Sequence, residues 1–146
     1  MAIKKIMLLI GLSVLFAGCS TIANDNMVAN KPTQTGVRYL MGNGVAKDNA
    51  KAFHYFSQGA KENDPMAQNE LAYMYAAGKG TPQNYEKALF WYQKAADQNV
   101  ASAQYNLGLL YLHGLGTPKD KPSAKQWIKK AAAQGFEPAK NTLHRV

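Results

Sequence analysis

Cys19 is the only cysteine of the 146-residue chain, and its thiol is the most reactive group that the sequence offers. One thiol cannot form an internal disulfide, and it cannot build a metal site that needs three or four sulfurs. The three histidines, His54, His113 and His144, lie far apart along the chain, and we expect no metal site from them. Covalent modification of the sulfur is therefore the chemistry that we consider for Cys19.

Catalytic motifs are absent from the sequence. It contains no Ser-x-x-Lys, no Gly-x-Ser-x-Gly, no His-Glu-x-x-His and no phosphate-binding Gly-x4-Gly-Lys-Ser/Thr. The glycine pair Gly78 and Gly80 recurs as Gly114 and Gly116, which indicates a repeated turn and not a nucleotide-binding loop. We therefore predict no catalytic residue, no metal and no cofactor.

The first 18 residues predict a signal peptide. Lys4 and Lys5 precede an apolar block over residues 6–17, and small residues come after it. A helix that spans a bilayer needs about 20 apolar residues, so this block is too short for a permanent span.

The segment Leu15-Phe16-Ala17-Gly18-Cys19 resembles the lipobox of bacterial lipoprotein precursors, although Phe16 stands where Leu, Val or Ile is usual. The resemblance implies that the thiol of Cys19 is lipidated and that cleavage makes Cys19 the mature N-terminus. Ser20 resembles the residue type that permits sorting to the outer membrane. We therefore expect an envelope protein, lipid-anchored on the periplasmic side, in the outer membrane if the organism has one.

A polar segment comes after the predicted anchor, and the chain as a whole is basic. Residues 19–34 are polar and lack a helical period, which predicts a flexible tether. The net charge is +8, and removal of residues 1–18 takes away two lysines and no acid, which leaves +6. The lysines are scattered and no nucleic-acid motif is present, so the charge favours anionic headgroups or an acidic partner over nucleic acid.

A period of 36 residues organises the rest of the chain. The composition, with 47% hydrophobic and 18% charged residues, is that of a globular domain with a core, and the period indicates how this core is built. Small, aromatic and glycine positions recur together: Ala67, Ala103 and Ala139; Leu71, Leu107 and Leu143; Tyr39, Tyr75 and Tyr111; Gly42, Gly78 and Gly114; Gly44, Gly80 and Gly116.

Each repeat predicts two helices that bury their apolar faces against each other. Ala67 and Leu71 share one face of the first helix, and Ala88 and Tyr92 share one face of the second. A Gly-x-Gly segment between the two helices stops the first one and reverses the chain. Short polar residues are placed to cap the second helices: Asp48, Asn84 and Asp120. Residues that tolerate positive φ are placed to close them: Asn63, Asn99 and Gly135.

This pattern resembles the Sel-one-like repeat (SLR), which is related to the tetratricopeptide repeat. The resemblance covers about residues 35–143 and implies an all-α fold, a right-handed α-solenoid of about three helix-turn-helix repeats. The solenoid domain would span residues 35–146, with repeats at about 35–66, 67–102 and 103–138 and a closing helix over 137–145. Structural positions in the repeats would be Gly78, Gly80, Gly114, Gly116, Trp91, Tyr92 and Trp127.

The resemblance also implies that the first helices line the concave side of the solenoid. A second stripe on these helices then forms a candidate partner-binding groove: Asn69, Tyr73, Tyr105, Leu109 and Leu112. The alternative is that the same side chains pack neighbouring repeats together, and the sequence leaves both open.

We therefore predict a membrane-tethered, non-catalytic protein-protein interaction module of the bacterial envelope. It would be either a scaffold or adaptor of an envelope complex, or an immunity protein that neutralises a secreted effector. The alternative from another class is a periplasmic enzyme that acts on peptidoglycan or β-lactams.

Overall fold

The computed structural model describes residues 31–145, so the predicted signal peptide, Cys19 and most of the predicted tether lie outside the described residues. Among residues 31–145 there is no β-strand, and no helix is both long and apolar enough to cross a bilayer. The all-α prediction is confirmed. The seven helices are α1 Pro32–Met41, α2 Asn49–Lys61, α3 Pro65–Ala77, α4 Tyr85–Asp97, α5 Ala101–His113, α6 Lys121–Ala133 and α7 Glu137–Leu143.

The helices form a solenoid. Each helix packs mainly against the helix before it and the helix after it in the chain, so that α1 and α2, α3 and α4, and α5 and α6 make three successive pairs. Helix α7 comes after the third pair and packs on α6. It ends at Leu143, slightly before the end of the predicted closing helix.

Residues 32–34 belong to α1, so their assignment to the tether is wrong. Pro32 lies in the first turn of α1, where its fixed φ suits a helix and its missing N–H costs nothing. The hydroxyl of Thr33 donates a hydrogen bond of 2.7 Å to the carboxylate of Asp64, which caps α3. The start of α1 is therefore fixed to the start of the next first helix.

The predicted helix caps are present. The side chains that cap the second helices each accept a hydrogen bond of 2.9–3.1 Å from the backbone N–H three residues later: Asp48, Asn84 and Asp120. The residues that close these helices have the predicted positive φ of 64–84°: Asn63, Asn99 and Gly135.

The Gly-x-Gly turns also join neighbouring repeats. Gly80 and Gly116 have φ values of 68° and 70°. A Cβ on Gly80 would overlap the carbonyl oxygen of Asn49, and a Cβ on Gly116 would overlap the backbone of Tyr85. Each turn therefore packs on the first residue of the preceding second helix, and only glycine fits there.

Equivalent positions of the three repeats supply the core. The second helices contribute one large and one small side chain each at full burial: Phe56, Tyr92 and Ile128, with Ala52, Ala88 and Ala124. The repeat period is therefore a period of core packing.

Candidate protein-binding surface

The predicted groove side chains are mostly in the core. Asn69, Tyr73, Tyr105 and Leu109 are only 1–4% exposed, and Leu112 is half-buried. The expected open groove is therefore not formed by the first four side chains. The physical reason is that α3 packs against α2 and α4, and α5 packs against α4 and α6. Both helices are therefore covered on two sides and have little free surface.

Contacts between repeats account for this burial. The hydroxyl of Tyr105 lies 3.0 Å from that of Thr142 in α7, and its ring packs on Phe136. Ser102 of α5 donates a hydrogen bond of 3.4 Å to Asn69 of α3. These contacts favour the alternative that the sequence left open, in which the side chains of the predicted groove pack neighbouring repeats together.

Two hydrogen bonds between glutamine side chains connect successive repeats, and the sequence analysis did not predict them. Gln98 donates a hydrogen bond of 2.8 Å to the side chain of Gln68, and 36 residues later Gln134 donates one of 2.7 Å to Gln104. Gln68 and Gln104 are buried, and each also donates to the backbone carbonyl of the residue eight positions earlier. The signal available in the sequence was the recurrence of glutamine at both positions with the period of the repeat.

The predicted structural aromatics divide into two kinds. Tyr92 is fully buried, as expected for a core position. Trp91 and Trp127 are only half-buried against the core, so part of each indole faces outward.

Phe90 is the large hydrophobic side chain with the greatest exposure among residues 31–145. It is 53% exposed on α4, and its ring contacts Trp91 edge to face at a centroid distance of 5.0 Å. The ammonium group of Lys94 lies 5.3 Å from the centre of the Phe90 ring. Aromatic side chains, phenylalanine included, are enriched in protein-protein interfaces relative to the rest of the surface.

A second aromatic site lies on α6. Lys130 places its ammonium group 3.9 Å from the centre of the Trp127 ring. Both residues line a surface pocket of about 550 Å³, which is also lined by the end of α4, by Asn99 and by Gln104 of α5. We call Phe90, Trp91, Lys94, Trp127 and Lys130 the outer aromatic face, because they lie on the solvent-exposed sides of two successive second helices.

The Sel1 repeat family model matches residues 33–64, 65–100 and 101–136, which is most of the chain. The chain belongs to the Sel1 repeat family. Its matched repeats begin two residues before the predicted ones, and the helices α3 and α5 likewise begin two residues before Ala67 and Ala103. Comparison with curated proteins gives no match.

Solved Sel1 repeat structures share the fold. The chain is 34% identical to c5321, a protective antigen of uropathogenic Escherichia coli with an SLR fold, over 77% of this chain and 24% of that one, with a TM-score of 0.75. A Sel1 repeat protein from Oxalobacter formigenes gives 34% identity over 77% and 45%, with a TM-score of 0.73. The chain therefore spans less than half the length of these two proteins.

Helicobacter pylori cysteine rich protein B shows the same fold at 24% identity. The match covers 80% of this chain and 91% of that one, with a TM-score of 0.67.

Sel1 repeat proteins are generally protein-interaction modules, and their fold is typically a non-catalytic scaffold. Within residues 31–145 of this Sel1 repeat protein, no group of three histidine, cysteine or acidic side chains is placed to hold a metal ion. The outer aromatic face offers rings, amides and lysine charges on a rigid frame.

One carboxyl group of this Sel1 repeat protein is buried in the core. Glu70 is 1% exposed, and it accepts a hydrogen bond of 3.1 Å from the amide of Asn69. Burial is the main cause that raises the pKa of Glu70 to about 7, against an opposing effect of Asn69 and Lys79. Burial, with the nearby charge of Glu70, also raises the pKa of Tyr92. Both groups are enclosed, so we assign them to the stability of the fold.

Proposed function

We propose that this chain is a non-catalytic interaction module of the bacterial envelope, anchored by lipid on Cys19 to the periplasmic side of the outer membrane, and that it binds a partner protein through the outer aromatic face. The single observation that carries the choice of surface is the exposed ring of Phe90, supported by its neighbour Trp91. Burial of aromatic anchors supplies much of the affinity in protein interfaces. We propose this surface as the binding site instead of the predicted groove, whose side chains are mostly buried.

The rigid helical frame supports binding. Because Lys94 and Lys130 are already placed beside aromatic rings, little side-chain freedom is lost when a partner covers them. The lysines also favour a partner with acidic groups around its apolar contacts.

Two kinds of partner fit this proposal. A scaffold or adaptor binds a resident subunit of an envelope complex, whereas an immunity protein binds a secreted effector tightly and one to one. The stoichiometry of the purified complex, and whether the partner is a resident or a secreted protein, distinguish the two.

Replacement of Cys19 with serine should abolish acylation, because a hydroxyl group does not replace the thiol that is lipidated. In cells fed a labelled fatty acid, we expect label on the wild-type protein and none on Cys19→Ser. The matched control is Ser20→Ala, which leaves the thiol in place and should keep the label. Label on the Cys19→Ser chain would contradict the proposed anchor.

Replacement of Phe90 with serine should weaken partner binding by about 30-fold or more, the effect of losing a hot-spot anchor worth about 2 kcal/mol. Thermal stability should change little, because the ring is 53% exposed. The matched control is Met41→Ser, which removes another exposed hydrophobic side chain, 39% exposed, from the far end of the solenoid.

The measurement is quantitative pull-down from detergent-solubilised native membranes, followed by titration of the captured protein. Equal loss of the partner in both variants, or no loss in Phe90→Ser, would contradict the proposed surface.

A further inference from the structure

The junction between the second and third repeats differs from the first junction in the bonding of one amide. At the first junction, the side-chain oxygen of Asn63 accepts hydrogen bonds of 3.0 Å from Gln68 and 3.3 Å from Gln98. Asn99 is the equivalent residue 36 positions later, and in the described part of the chain its side chain makes no hydrogen bond to the equivalent glutamines. The amide of Asn99 is therefore available where it lines the surface pocket beside Trp127.

The same pocket holds one basic and one acidic side chain. Lys130 contacts the ring of Trp127, and it forms no ion pair among residues 31–145. Asp97 also lines the pocket, and one of its carboxylate oxygens accepts a hydrogen bond of 2.9 Å from Gln93. The pocket therefore offers a ligand an ammonium group, a second carboxylate oxygen and an amide.

The size and the place of the pocket suit a bound ligand. Its volume of about 550 Å³ lies within the range of about 300–1,000 Å³ that is usual for ligand-binding clefts. Trp91 and Lys94 hold the positions equivalent to Trp127 and Lys130 at the first junction, and they stay partly exposed although another repeat follows them. A further repeat after α6 would therefore leave the pocket exposed.

We propose that this pocket binds an extended peptide segment of the partner protein that carries an aspartate or glutamate side chain. The carboxylate of the peptide pairs with Lys130, a backbone N–H donates to Asp97, and a backbone carbonyl accepts from the amide of Asn99. The proposal rests on the proposed function, because Trp127 and Lys130 belong to the outer aromatic face.

Charge and ring geometry favour a peptide over other ligands. A phosphate group carries nearly two negative charges and would be repelled by Asp97, whereas a carboxylate carries one, which Lys130 balances. A sugar ring stacks on a bare aromatic face, but the ammonium group of Lys130 already covers one face of the Trp127 ring at 3.9 Å. A peptide also supplies N–H and C=O groups along its backbone, which match the carboxylate and the amide of the pocket.

Selection from a library of random peptides displayed on phage tests the class of ligand. The bait is the purified full-length protein in detergent, with Trp91→Phe so that Trp127 is the only tryptophan. Trp91 does not line the pocket. We expect the enriched peptides to share an acidic residue. A synthetic copy of one enriched peptide is then titrated, and its binding should change the fluorescence of Trp127.

A double-mutant cycle tests the contact with Lys130. Lys130→Gln should weaken binding of the synthetic peptide about tenfold or more, because a hydrogen bond between charged groups is lost. Replacement of the acidic residue of the peptide by its amide should cause a similar loss, and the two changes together should add little to either one.

The matched control is Lys94→Gln, which makes the same change in net charge one repeat earlier and outside the pocket. It should bind the peptide within about threefold of the unchanged bait. Asn99→Gly tolerates the positive φ and removes the amide, so it should weaken binding about fivefold. Circular dichroism should show that each variant stays helical.

A library that enriches no acidic peptide would overturn the proposal. Equal losses in Lys130→Gln and Lys94→Gln would also overturn it, because they would assign the effect to net charge. Unchanged Trp127 fluorescence would show that the peptide binds elsewhere. If one of these results is found while Phe90→Ser still loses the native partner, the pocket is rejected and the proposed function stands.

Discussion

Replacement of Gly80 with alanine should lower the free energy of unfolding by about 4 kcal/mol. An L-residue with φ near 68° costs about 1–2 kcal/mol, and a Cβ that overlaps the carbonyl oxygen of Asn49 adds a packing cost of about 1–3 kcal/mol. The overlapping atom is backbone, so it cannot rotate away as a flexible side chain does. Because a small domain has only about 5–15 kcal/mol of stability, this loss would be evident in urea unfolding.

Gly44 provides the matched control for this prediction. It holds the equivalent position in the first repeat, with a φ of 72°, but its nearest atom is in the mobile end of the Arg38 side chain at 3.6 Å. Gly44→Ala should therefore cost only the backbone strain, about 1–2 kcal/mol. Equal losses for the two substitutions would show that the turn does not pack on the preceding repeat.

Replacement of Glu70 with glutamine should stabilise the protein above pH 7 by up to about 3 kcal/mol. Burial raises the pKa of Glu70 from 4.5 to about 7, so the folded state holds the proton more strongly than the unfolded state. The free energy of unfolding should then fall as pH rises from about 4.5 to 7, and the loss is complete above pH 7. Glutamine keeps the shape and carries no charge, so it removes this loss.

The groups around Glu70 are consistent with its raised pKa. The amide of Asn69 bonds one carboxylate oxygen, while the other oxygen makes no hydrogen bond within the described residues. Lys79, whose ammonium group donates to the hydroxyl of Tyr73, also opposes the rise in the pKa of Glu70, by less than Asn69 does. A protonated Glu70 carries no charge, so it loses less hydration free energy on burial than the charged form.

Urea unfolding at pH 5, 6, 7 and 8 measures this effect. Wild-type stability should decline between pH 5 and 7, and Glu70→Gln should show a flatter profile over that range. Asp120 affects stability in a different pH range. Hydrogen bonds from Ser123 lower the pKa of Asp120 below its usual value of 3.8, so any stability that Asp120 contributes is lost only as the pH falls below 3.8. Parallel profiles for wild type and Glu70→Gln would contradict the assignment.

The repeat period made most of the fold predictable. A helix that recurs every 36 residues has its ends fixed by caps and turn glycines that recur with it, so the capping roles of Asp48, Asn84 and Asp120 could be predicted from their spacing. The start of α1 was missed because Pro32 and Thr33 lack the repeated alanine. Their helical state depends on the contact with Asp64, which is distant in sequence.

The binding surface was less predictable. A stripe such as Tyr73 and Leu109 has the same helical spacing whether it faces solvent or a neighbouring repeat, so the pattern could not decide between them. The exposure of Phe90 could have been predicted from the repeat. His54 and Gln126, which are polar, hold the equivalent positions in the other two repeats. The burial of Glu70 had no sequence signal, because it depends on helices that pack from several sides.

Photo-cross-linking in intact cells tests the central claim, that the outer aromatic face holds a partner protein, most directly. A benzophenone amino acid replaces Phe90 in one strain and Met41 in another, and both residues are exposed before the change. We predict one discrete protein adduct from position 90 that is absent from position 41. No adduct at position 90, or the same adducts from both positions, would contradict the account.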